Sequence, residues 1–171
     1  MDVSTPLPKI SIVLDRLRSA HNTGNIFRIA EAIGAAEIIC CGYTPAPPHP
    51  KLEKTAMGSD KMVPCRVFST SLEAVEALRA EGYKMILAAE PVPEAVEAWD
   101  KAYDFPLAIV FGNEALGVDP ETMKAVDGCV CLPMFGQKAS INVGNSAAAI
   151  LYAVAAFCRK KAQPSRNFLK I

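Results

Sequence analysis

Leu107-Ala108-Ile109-Val110-Phe111-Gly112-Asn113-Glu114-Ala115-Leu116-Gly117 joins a wholly apolar run to a polar loop bracketed by two glycines. A run this short with no polar face reads as a strand covered on both sides, and so as a central strand of a parallel sheet. Glycine at its end lets a ligand approach the backbone closely. The loop is not a P-loop, because Val118 stands where lysine is required, and it is not G-x-G-x-x-G. A plain strand-to-helix turn is the competing reading.

Outward from this strand, short apolar runs alternate with helical patterns, which predicts an α/β fold with a mainly parallel sheet flanked by helices. Strands are expected at Ile10 to Leu14, Ile38 to Cys41, Val63 to Phe68, Met85 to Ala88 and Val130 to Leu132. Helices are expected at Gly24 to Ala35, Lys51 to Met57, Ser71 (as cap) to Ala80, and Pro93 to Trp99. Another follows Asp119-Pro120, and a last one opens near Ser140 or Asn142 and runs to about Lys161. The proline-rich stretch Tyr43 to Pro50 reads as a loop.

Two further polar segments follow strands. Asn22-Thr23-Gly24-Asn25-Ile26-Phe27-Arg28 comes after the first. Asn22 or Thr23 as a helix cap and Gly24 in the turn would explain part of it, but not Arg28, which should then lie about one turn into the helix and point over the sheet edge. Leu132-Pro133-Met134-Phe135-Gly136-Gln137-Lys138-Ala139-Ser140-Ile141-Asn142-Val143-Gly144-Asn145 comes after the last strand and carries more polar groups than a cap requires. All three loops are expected to converge on one edge of the sheet.

At 171 residues and 51% hydrophobic composition, the chain suits one domain over residues 1–171 with a sizeable core. Met1 to Ile10 has no signal-peptide run, and Ala147 to Cys158 is shorter than the roughly 20 residues a membrane span needs. A cytoplasmic protein with no membrane association is the expectation. Neither the six cysteines nor His21 and His49 have metal-ligand spacing, so no metal is expected and the thiols read as reduced and buried. Net charge is zero, but bases gather at Lys9, Arg16, Arg18 and Arg28 and in a tail from about 159 with Arg159, Lys160, Lys161, Arg166 and Lys170. Brought together, the two ends would make a positive face suited to phosphate; solvated helix ends and a loose tail are the alternative.

In this order, the three loops resemble the N-x-G-x-x-x-R, F-G-x-E-x-x-G and I-P-M-x-G-x-x-x-S-L-N-V-S motifs of the SpoU family in the SPOUT methyltransferase superfamily. The resemblance spans Ile10 to about Arg159. Leu132 replaces isoleucine, Ile141 replaces leucine, and Gly144-Asn145 replaces the commoner serine and apolar residue. It implies a deep C-terminal trefoil knot, a homodimer, and S-adenosyl-L-methionine held bent by backbone groups. The cofactor wall it implies is Ala88, Ala89, Gly112, Leu132, Met134, Ser140 and Ile141. The reaction it implies is methyl transfer to a ribose 2′-hydroxyl of structured RNA, with transfer RNA expected over ribosomal RNA because the sequence shows no counterpart of the N-terminal RNA-binding domain of many larger ribosomal members. Arg28 would be the main catalytic residue, either as base or as phosphate and hydroxyl ligand; a permanently protonated guanidinium favours the second. Asn22, Glu114, Ser140 and Asn142 would orient it, the loops and the nucleotide. The nearly all-round apolar helix Ala147 to Phe157 fits burial against a second subunit. The rival functions are an RNA-binding protein without turnover and a Rossmann-like oxidoreductase.

Overall fold

A computed structural model describes residues 7–162. Seven strands form one parallel sheet in the order β3-β2-β1-β6-β4-β7-β5. In chain order they are β1 (Ile10–Asp15), β2 (Glu37–Cys41), β3 (Cys65–Phe68), β4 (Met85–Ala89), β5 (Val96–Glu97), β6 (Leu107–Phe111) and β7 (Gly128–Cys131). The helices are α1 (Ala20–Ile33), α2 (Pro50–Ala56), α3 (Ser71–Ala80), α4 (Pro120–Ala125) and α5 (Val143–Ala162), with a 3-10 turn at Ser59–Lys61.

The apolar run at 107–111 is the middle strand, buried along its whole length. Its alternate residues serve two cores. Leu107, Ile109 and Phe111 face α1 and α5 with Ile12, Phe27, Leu151 and Val154; Ala108 and Val110 face α3 with Val13, Val75 and Leu78. Each fully buried aliphatic side chain of this kind contributes about 1.5–3 kcal/mol relative to exposure.

Local signals misplaced three features. α1 begins at Ala20, not at Gly24, because Ser19 is the cap and its side chain accepts from Asn22 N–H. Gly24 therefore eases no turn. It lies where α1 meets α2, and a Cβ there would stand 2.7 Å from the Leu52 carbonyl oxygen. Thr70, not Ser71, caps α3, leaving the Ser71 hydroxyl to bond Thr122 in the interior at 2.7 Å. The expected helix at Pro93 to Trp99 is absent: Val96–Glu97 adds a short strand to the outer edge of β7. A free sheet edge outweighs the weak helical preference of so short a segment.

The last helix starts as expected, with Asn142 Oδ1 accepting from Gly144 N–H at 2.9 Å and Asn145 N–H at 3.3 Å. Among the described residues no helix is long and apolar enough to cross a membrane, and no cluster of metal-ligating side chains occurs. Cys40, Cys41 and Cys158 are buried, whereas Cys65, Cys129 and Cys131 are half-buried, and all six are free. Part of the expected positive face is already engaged: Arg16 pairs with Asp15 and Asp119, and Lys9 sits 4.9 Å from the centre of the Tyr83 ring. Arg166 and Lys170 lie outside the described residues.

Candidate active site

β4, β6 and β7 are neighbours, so the loops leaving their carboxyl ends meet over one edge of the sheet. They enclose a cavity of about 340 Å³, lined by Ala89 and Glu90 after β4, Gly112 and Glu114 after β6, and Leu132, Met134, Ser140, Ile141 and Asn142 after β7. Small-molecule sites commonly span about 300–1,000 Å³.

Main chain forms much of the wall. At Gly112 a Cβ would stand 2.2 Å from Val118 N and 2.3 Å from Gly117 C, so only glycine fits. Gly117 has φ +69° and closes the loop by exchanging backbone hydrogen bonds with Asn113. Among the described residues, no backbone–backbone hydrogen bond involves residues 132–141. The amides and carbonyls of that segment are therefore available to a ligand.

A chain of hydrogen bonds joins the three polar loops. Glu114 accepts from Arg18 N–H at 2.9 Å, Ser19 N–H at 3.2 Å and Asn22 Nδ2 at 2.8 Å. Asn142 Nδ2 donates to Asn22 Oδ1 at 3.0 Å. Partial desolvation pushes the Glu114 carboxyl up, but the donors from Arg18, Asn22 and Ser19 outweigh it and hold it below the ordinary carboxylate value. Glu114 is thus a fastener at the start of α1 and a poor proton acceptor. Gly144 lets α5 approach α1, since a Cβ there would come within 2.7 Å of Asn25 Nδ2.

Most expected site residues meet here: Asn22, Glu114 and Asn142 in the bonded chain, and Ala89, Gly112, Leu132, Met134, Ser140 and Ile141 on the cavity wall. Two do not. Ala88 is fully buried within the sheet, paired between Val110 and Cys129, and is not among the residues that line the cavity. Arg28 lies more than two turns into α1, because the helix starts early, and it lines a separate depression with Asn25, Ile29, Met57, Met62 and Tyr152. It makes no salt bridge among the described residues.

Two polar residues emerge that the motifs did not single out. Asn113 is buried; its Nδ2 donates to Arg16 O at 2.6 Å and Tyr43 OH at 3.0 Å, while its Oδ1 accepts from Ala115 and Leu116 N–H. An asparagine before such a turn is a readable signal, because its side chain bonds the backbone two residues on. Glu90 accepts from Val118 N–H at 2.7 Å. Burial pushes its carboxyl up, the Val118 N–H pulls it down, and Asp15 adds to the rise, leaving it above the ordinary value.

A backbone-walled cavity at the carboxyl edge of a parallel sheet is characteristic of α/β proteins that bind nucleotide-like ligands. The sequence model of the SpoU rRNA Methylase family matches residues 9–152, and the chain belongs to that family. It is 31% identical over 145 residues to a tRNA (guanosine(18)-2′-O)-methyltransferase of Thermus thermophilus, covering 85% of this chain and 73% of that one. Similarity to a 23S rRNA (uridine(2479)-2′-O)-methyltransferase of Streptomyces viridochromogenes is 32% identity over 146 residues, covering 84% of this chain but 51% of the relative. Among solved structures, the SpoU methyltransferase AviRb of Streptomyces viridochromogenes in complex with AdoMet superposes with a TM-score of 0.80 at 26% identity, covering 95% of this chain and 62% of that chain. The AdoMet-bound rRNA methyltransferase of Sinorhizobium meliloti gives a TM-score of 0.81 at 25% identity, covering 94% and 59%.

Proposed function

We propose that this chain uses S-adenosylmethionine to methylate a ribose 2′-hydroxyl in RNA, with transfer RNA favoured over ribosomal RNA. The observation that carries this reading is the bonded chain Glu114–Asn22–Asn142, which fastens all three motif loops around one cavity. The residues present fit the cofactor. Gly112 lines the cavity without a side chain to narrow it, and the unpaired backbone of 132–141 offers an adenine edge both donors and acceptors.

When bound, the cofactor supplies a methyl group on a positively charged sulfur. The chain's own task is to present the 2′-oxygen in line with that carbon, where correct orientation removes much of the barrier. Ser140 and Asn142 stand on the cavity wall where α5 begins, and the fastened loops keep them in place. Arg28 takes the adjacent RNA phosphate and steers the hydroxyl, whose proton passes to water as the oxygen bonds carbon. Because Arg28 lies on a separate face, we assign it to the cavity of a second copy in a homodimer. That face carries exposed Met57, Met62 and Tyr152 beside Arg28, consistent with a partner's contact. The deep C-terminal knot implied by the resemblance belongs to this proposal, as do a single domain over 1–171 and a cytoplasmic location.

An RNA-binding protein without turnover has no use for a methyl-donor cavity and is not favoured. Incubation of the purified chain with labelled S-adenosylmethionine and unmodified transfer or ribosomal RNA, followed by nucleoside mass spectrometry, tests the reading. One 2′-O-methylated nucleoside is expected, on transfer RNA. RNA binding with no cofactor binding and no label transfer would overturn it.

A further inference from the structure

We propose that Glu90 is a cofactor-specificity residue whose free carboxylate oxygen accepts hydrogen bonds from the vicinal hydroxyls of the cofactor ribose. This rests on the methyl-donor reading of the cavity. Glu90 is the first residue beyond β4, the strand between β6 and β7, and so sits between the other two loops on the cavity wall.

Its carboxylate is only partly used. An ionised carboxylate offers about four acceptor sites. Among the described residues the Val118 N–H is the one donor to it, and no Lys or Arg pairs with it. The loop nevertheless makes room for this group. A Cβ at Gly112 would come within 2.8 Å of Glu90 Oε1, and one at Gly117 within 2.9 Å. Both glycines have further backbone reasons to be glycine, Gly112 its contact with Val118 N and Gly117 its positive φ, so Glu90 is one neighbour among several that exclude a side chain there.

The other acid on the wall is already occupied, since Glu114 holds Arg18, Ser19 and Asn22. A ligand entering with several hydroxyl donors therefore meets one carboxylate with spare acceptors. Adenine is served by single amides and carbonyls, which the 132–141 backbone supplies. Two adjacent hydroxyls instead need convergent acceptors, and an acid at the end of a sheet strand meets a ribose in that way in other α/β folds.

A purely structural role, clipping the Val118 turn, makes a different prediction. The test compares 5′-methylthioadenosine with its 2′-deoxy analogue on the wild-type chain and on Glu90→Gln, by calorimetry. The amide oxygen of Gln still accepts from Val118 N–H, so the clip survives. Wild type should bind the ribose ligand about tenfold more tightly than the deoxy ligand, the scale of one charge-assisted hydrogen bond. Glu90→Gln should lose most of that discrimination. Equal weakening of both ligands in the variant would make Glu90 a clip and overturn the proposal. So would equal affinity of wild type for both ligands, whatever the variant's folding. Unaltered methylthioadenosine binding by Glu90→Gln, with weaker S-adenosylhomocysteine binding, would assign Glu90 to the amino-acid end and also overturn it. Failure of wild type to bind S-adenosylhomocysteine at all would instead remove the methyl-donor reading on which the proposal stands.

Discussion

Asn22 donates to one loop and accepts from another, so cutting back its amide removes two links at once. Asn22→Ala should lower methyl transfer at least about tenfold while weakening S-adenosylhomocysteine binding less, because neither bond touches the Gly112 wall. Single-turnover kinetics against equilibrium binding separates the two effects. The Glu114 end of the chain sets a pH dependence. Its carboxyl lies below the ordinary value when folded, so the unfolded chain binds the proton more readily. Its contribution to stability is therefore present in full above the unfolded value of about 4.3 and is lost as pH falls through the depressed one. The gap in melting temperature between wild type and Glu114→Gln should be widest near neutrality and close in acid. A gap constant from about pH 3 to pH 7 would deny the linkage. Glu114 was readable because its neighbours are glycines and an apolar strand. Glu90 was not, because it begins a stretch with Glu94 and Glu97 in which any one acid resembles a solvated charge.

The start of α1 shows where element boundaries escape local reading. Ser19, Asn22 and Thr23 are all good caps, and nothing within the segment chooses among them. The choice is made from far along the chain, when Glu114 takes the Arg18 and Ser19 amides and the Asn22 side chain. β5 is a similar case, existing only because β7 presents an open edge. By contrast, β1, β6 and the start of α5 were legible, since a buried run and a cap carry their own signals. Gly24 offers an element-scale test. In an exposed helix, Gly→Ala gains about 1 kcal/mol. Here the new methyl would meet the Leu52 carbonyl oxygen at 2.7 Å and the Ala56 nitrogen at 3.0 Å, both backbone, so the helices must part. Overpacking costs about 1–3 kcal/mol and should win, making Gly24→Ala less stable in urea unfolding. A more stable variant would mean that α1 and α2 adjust freely.

At the scale of the molecule, the α/β class could be read from alternating apolar runs, whereas the strand order could not, because pairings between distant segments leave no local trace. That order decides which loops meet. It brings the ends of β4, β6 and β7 together and leaves Arg28 on another face, among Met57, Met62 and Tyr152. For Arg28 to work on the cavity of its own chain it would have to leave the depression it lines, on a helix held in place by buried Ile26, Phe27 and Ala30. Service to a partner's cavity needs no such change, and it has a consequence that service within one chain lacks. Arg28→Ala and Asn142→Ala should each be inactive alone, since one lacks the guanidinium and the other the wall amide. Mixed and allowed to exchange subunits, half of the dimers would pair an intact cavity with an intact Arg28 from the other chain. One cavity in two would work in those dimers, so about a quarter of wild-type activity should return in a symmetric dimer. Sedimentation should report a dimer throughout. An inactive mixture of demonstrably exchanged subunits would return Arg28 to its own chain.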